Sequence, residues 1–192
     1  MIKILRVTAD NVSQQRTIRP LYAQHQATPY AAFLHASWDR SVDILPGMVM
    51  TKLDSENVSL FGTIGGTGSV VASHEVFGLA GLFVAPVLGI DEVRDVGLNV
   101  FPVWIGGNQA VFEVLAPAFD TTATYTDITT GAKTPLRVTL SGHAQGAGKL
   151  TTAASGANVS VKVAAYLIDV VSATKIIVSL EKPGSATGGS TL

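Results

Sequence analysis

The chain has 192 residues, with 13 Lys and Arg against 14 Asp and Glu, and no cysteine. This length fits one domain, or one domain with an arm, and buries a core without disulfides. The missing cysteines exclude thiolate metal sites and cysteine nucleophiles, and the even charge balance speaks against a general nucleic-acid or anionic-membrane binder.

Total charge is more informative than net charge. Only 14% of residues are charged and 47% are hydrophobic, against about 25% charged in ordinary globular domains. Such a chain either sits in a membrane or buries apolar surface against partners. A spanning helix needs about 20 consecutive apolar residues. The richest stretch, residues 76–90, is interrupted by Gly78, Gly81, Pro86 and Gly89 and stops at Asp91. Residues 1–8 alternate polar and apolar and lead into Asp10, Gln14, Gln15 and Arg16, so no secretory signal is expected there. The expectation is a soluble protein with large protein–protein contacts.

Residues 1–38 are polar, with Lys3, Arg6, Arg16 and Arg19 against the single acid Asp10, and lack a sustained period of 2 or 3.6. Pro20 and Pro29 favour extended backbone at and before themselves. This region is expected to be an extended N-terminal arm lying on a partner, the plain alternative being a disordered terminus. Its contact residues would be Lys3, Arg6, Arg16, Arg19, Tyr22 and Tyr30.

Residues 39–182 carry many short strand signals, the pattern of an antiparallel β-barrel or sandwich. Pro46-Gly47 turns into Met48-Val49-Met50, and Val58-Ser59-Leu60-Phe61 alternates. Residues 63–69 are loop chemistry. Strands are expected at 82–87, 99–105 and 110–115, with Gly106-Gly107-Asn108-Gln109 joining the last two as a hairpin. In 110–115, Phe112 and Val114 share one face, and Val111, Glu113 and Leu115 the other, so both faces are expected to be covered. Phe101, Val103, Trp104, Phe112 and Val114 form the expected core around that hairpin. From residue 121 the chain is rich in Thr, Ser and Val. Strands follow at 137–140, 160–171 and 175–180, the last two joined tightly at Ser172-Ala173-Thr174. Helical turns are expected only at 73–78 and 88–96. The Gly/Ser/Thr-rich residues 183–192 read as a flexible tail.

No motif carries chemistry. Between Gly142 and Gly148 lie five residues, where a phosphate loop has four, and Leu150 follows Lys149 in place of Ser or Thr. Gly66-Thr67-Gly68 begins a dinucleotide fingerprint but Val71 stands at its third glycine. His25, His35, His74 and His143 are scattered. Asp91, Glu92 and Asp95 enclose Arg94 and lack the spacing of a calcium loop. There is no Gly-x-Ser-x-Gly elbow. No catalytic, cofactor or metal site is expected, and an enzyme ranks last.

Leu45-Pro46-Gly47-Met48-Val49, the run Gly78-Leu79-Ala80-Gly81-Leu82-Phe83, the pair Val103-Trp104-Ile105-Gly106-Gly107 and Ala110-Val111-Phe112-Glu113-Val114, and the closing strands 163–171 and 175–180 resemble the capsid decoration, or cement, proteins of tailed bacteriophages. The resemblance spans about residues 45–180. It implies a small β-barrel, usually a homotrimer, on the outer capsid surface of the virion, made in the host cytoplasm. Its partners would be the major capsid protein, reached by the N-terminal arm, and copies of itself. The Ala/Gly/Thr-rich stretch 121–156 departs from the compact pattern. Alternatives are another virion β protein of tail or fibre, or a carbohydrate-binding β-sandwich stacking sugars on Trp38, Trp104 and tyrosines.

Overall fold

A computed structural model of the chain describes residues 17–22, 28–35, 42–63, 75–81, 101–106, 110–126 and 134–180. These form eleven strands and, among the described residues, no helix. In chain order the strands are β1 (Ile18–Tyr22), β2 (Thr28–Leu34), β3 (Val49–Lys52), β4 (Asn57–Leu60), β5 (Val76–Ala80), β6 (Phe101–Ile105), β7 (Ala110–Leu115), β8 (Thr134–Thr139), β9 (Leu150–Thr151), β10 (Val159–Ser172) and β11 (Lys175–Leu180). Five of them close a barrel in the order β2-β4-β3-β5-β6, and the other six form a sheet in the order β1-β7-β11-β10-β8-β9. Every ladder between two of these strands is antiparallel except the short contact of Phe33 and Leu34 in β2 with Asn57 and Val58 in β4. The expected all-β, mostly antiparallel architecture is what the chain adopts.

Local chemistry explains several elements. The β3–β4 turn is fixed by Asp54, whose Oδ1 accepts the amide N–H of Glu56 at 2.9 Å and of Asn57 at 2.8 Å. These hydrogen bonds, together with that from the Asn57 side chain, hold the Asp54 carboxyl below its ordinary range. In β7 the alternation works as the sequence indicates: Phe112 and Val114 are fully buried, and Val111 and Leu115 half-buried. The β10–β11 hairpin turns at Ala173 and Thr174, with Ser172 opposite Lys175.

One cluster of buried side chains runs through both units. Met50, Leu60, Leu79 and Val103 enter it from barrel strands, and Phe112, Val114, Leu136, Leu167 and Val178 from the sheet. Trp104 of the barrel meets Phe112 of the sheet, with ring centroids 6.0 Å apart. One sheet face, called inner here, therefore packs on the barrel.

Several expectations need correction. Gly106-Gly107-Asn108-Gln109 does not make a hairpin: β6 pairs with β2 and β5, whereas β7 pairs with β1 and β11. The segment carries the chain from barrel to sheet. Of the core expected around it, Val103, Phe112 and Val114 are buried and Trp104 is half-buried. The side chain of Phe101 lies outside the described set. Of the turn expected at 73–78, residues 76–78 belong instead to β5, where Gly78 lies against the Trp104 backbone and a Cβ does not fit. Residues 18–22 and 28–34 are extended, as the prolines require, yet they are paired strands of the sheet and the barrel respectively. The strand expected at 82–87, the helical turn at 88–96, the loop residues 64–69, the acidic cluster 91–95, His25, His74, Trp38 and the tail 183–192 lie outside the described residues.

Candidate functional site

The glycine-rich segment after β8 has a structural task. The amide N–H groups of His143, Gln145, Gly146, Gly148 and Lys149 all donate within the chain, to Leu140 O, His143 Nδ1, His143 O, Thr139 O and Thr139 Oγ1. A phosphate cradle needs such donors free. Gly148 takes φ +80°, and a Cβ there would strike the Leu60 side chain. Its N–H donates to Thr139 of β8 at 2.9 Å, and its carbonyl accepts from Val49 of β3 at 2.7 Å. The segment thus fastens the sheet to the barrel.

Beside it lies a polar network around the buried Asp120. Asp120 Oδ1 accepts from the Thr122 amide at 3.0 Å and its hydroxyl at 2.6 Å; Oδ2 accepts from Thr151 Oγ1 at 2.9 Å. His143 Nε2 stands 3.6 Å from Oδ2. Burial pushes the Asp120 pKa up, but the hydrogen bonds from Thr122 and Thr151, with His143 nearby, outweigh it and leave it lowered. Burial pushes Lys149 down, opposed by the Asp120 charge. Tyr125 donates to Leu150 O at 3.0 Å, and burial pushes its hydroxyl far up. The stretch 119–125 thereby lies along β9, with Asp120 N donating to Leu150 O and Thr152 Oγ1 to Thr124 O. Every hydroxyl in this network points into a bond within the chain, and among the described residues of the network no nucleophile faces a base across an open site.

The residues expected on the arm separate. Lys3, Arg6 and Arg16 lie outside the described residues. Arg19 is on β1, 64% exposed, and donates to Glu113 Oε2 at 3.0 Å; Lys175 Nζ reaches the same oxygen at 3.3 Å. Tyr22 ends β1 opposite Val111. Tyr30 belongs to the barrel, edge-on to Phe77 with centroids 5.0 Å apart, and Lys52 Nζ sits 5.2 Å above its ring. The structure brings Arg19 and Tyr22 together on one strand and leaves Tyr30 on the other unit. Sequence reasoning missed Glu113 as the anchor of Arg19 and Lys175; its one signal was an acid inside an otherwise apolar strand. Trp104, a candidate sugar platform, is committed to packing on Phe112.

Among the described residues no group of three or more His, Asp or Glu is placed to hold a metal ion. What stands out is surface: an open sheet face with half-buried apolar residues, exposed Val161, Ile168 and Val171 on β10, and exposed Phe33 on β2. A β fold whose Asp120 network is satisfied internally, and whose described surface leaves apolar side chains exposed, is suited to assembly. The family model described as phage cement protein matches residues 4–192. The chain belongs to the phage cement protein family. Comparison with curated proteins and with solved structures gives no match. As a phage cement protein the chain is a structural component associated with the capsid of a virion.

Proposed function

We propose that this cement protein binds the outside of the phage capsid and braces contacts between capsomers. The observation that carries the reading is the family match across residues 4–192, joined to a chain of which only 14% is charged and 47% is hydrophobic. Its partners are the major capsid protein and copies of itself, three copies being the number the resemblance implies.

The contact is assigned to the N-terminal residues Lys3, Arg6 and Arg16, continued by Arg19 and Tyr22 on β1. The chain joins the sheet at Thr17, whose Oγ1 donates to Pro46 O and whose carbonyl accepts from Leu115 at 2.8 Å. Residues 1–16 therefore precede a firmly fixed point on an edge strand. Laid against a capsid subunit, they would gain backbone hydrogen bonds and ion pairs. Tyr30, built into the barrel against Lys52 and Phe77, fits this contact less well. The test is co-sedimentation with undecorated heads at moderate salt. A chain lacking residues 1–16 should keep its circular dichroism spectrum and bind at least tenfold more weakly. Equal binding would remove the role of these residues.

A further inference from the structure

The outer face of the six-stranded sheet can be reconstructed strand by strand. Residues alternating with buried Phe112, Val114, Ile176, Val178, Leu136 and Val138 point away from the barrel. They include Val111, Glu113, Leu115, Lys175, Ile177 and Arg137. The register adds Arg19 opposite Glu113, Tyr166 opposite Ser179 and Pro135, Asp169 opposite Ile177, and Val163 opposite Arg137. Val161 and Val163 flank Lys162, which turns the other way to reach Glu75, the residue before β5, at 2.6 Å. Val161 is 68% exposed.

The charges on this face are divided. Arg19 and Lys175 share Glu113. Arg137 and Asp169 have no opposite charge within reach among the described residues, and the Nε of Arg137 is shut from solvent without an acceptor. Asp169 Oδ1 accepts only the neighbouring Val170 amide. These two unpaired charges of opposite sign lie on either side of Tyr166: Asp169 three residues along β10, Arg137 two residues along β8 from Pro135, the partner of Tyr166.

That arrangement is self-complementary. A two-fold axis lying in the plane of the face near Tyr166 sets Arg137 of one copy against Asp169 of the other, twice, with Tyr166, Val163 and Val161 between. Addition at the sheet edges is less suited. β1 carries Pro20 and a bulge, and β9 has only two residues and is lined by the stretch 119–125. We propose that the outer sheet face binds a second copy of this chain face to face, with reciprocal Arg137–Asp169 ion pairs. Such a contact closes at two copies, not at the three the resemblance implies. It rests on the self-association part of the reading above, replaces its copy number of three by two, and does not depend on capsid binding.

The test is sedimentation equilibrium of the full chain at micromolar concentration, with head co-sedimentation run separately. Wild type should sediment at about 40 kDa, twice its 20.0 kDa. Arg137→Asp and Asp169→Arg alone should each weaken association at least tenfold, and the double variant should recover most of it. Val161→Lys, at an exposed position with little bearing on folding, should weaken it as well. Thermal midpoints separate misfolding from loss of contact. A 20.0 kDa wild type, a three-copy species, or a folded double variant no stronger than the single variants would each overturn the proposal. If the single variants fail to fold, a Val161→Lys chain that still associates as wild type does so instead.

Discussion

The barrel and the six-stranded sheet solve the same problem of unpaired strand edges in opposite ways. The barrel closes, using strands β2 to β6 that follow one another in the chain, so its ladder has no end. The sheet stays open, takes β1 from one side of the barrel segment and β7–β11 from the other, and protects its edges with Pro20, a bulge and a covering segment. The comparison teaches where function belongs. A closed barrel offers little for assembly beyond its surface side chains, whereas the open sheet has a whole second face and the strand into which residues 1–16 run. Strands β1 and β2 link the two designs, since they are adjacent in sequence yet belong to different units.

The largest way to break this comparison is to remove that link. Deleting residues 1–35 takes one edge strand from the sheet and opens the barrel between β4 and β6, and should abolish cooperative unfolding. Deleting residues 1–16 should shift the thermal midpoint by only a degree or two. A folded 36–192 chain would show that neither unit needs its first strand.

Next in size is the shared core. Phe112→Ala removes a fully buried ring that packs on Trp104 across the junction, at a cost of about 3–5 kcal/mol. Urea unfolding should show this as a lower midpoint. Retention of wild-type stability would mean that the two units do not depend on each other there.

Asp120 offers a pH test of the sheet side. Its folded pKa lies below the ordinary 3.8, so its contribution is fully present above that value and is lost as pH falls through the folded value. Asp120→Asn should therefore destabilise by about 1–3 kcal/mol near neutral pH. The gap to wild type should narrow below about pH 4. A gap independent of pH would assign the role to shape instead of charge.

The smallest effect belongs to Lys162, whose ion pair with Glu75 ties β10 to β5 while Glu75 stays 65% exposed. Lys162→Ala should cost under about 1 kcal/mol, and less in high salt. A larger loss would make this bridge a main tie between the units.

Much of the fold was legible in the sequence because strand chemistry is local. The alternation in β7 and the turn at Ala173 and Thr174 both follow from residues within reach of each other. Pairing partners are not local. Gly106-Gly107 marks a change of direction equally well for a hairpin or for a crossing between sheets, and only the β6–β2 and β7–β11 ladders decide. Pro20 and Pro29 signalled extended backbone correctly, but a strand bonded on one side tolerates proline. β1 is such an edge, and β4 meets β2 only at Phe33 and Leu34, past Pro29. The surface was harder still: Glu113 could be seen as an odd acid, whereas its sharing by Arg19 and Lys175 joins residues nearly a hundred positions apart.

The central claim, a structural protein that braces the capsid from outside, is tested most directly by electron cryomicroscopy of undecorated heads incubated with the purified chain. The account predicts added density on the outer surface, at contacts between capsomers, with the sheet and barrel resolvable as two lobes. Heads that acquire no density at saturating protein, or acquire it only at the tail or inside the shell, would contradict it.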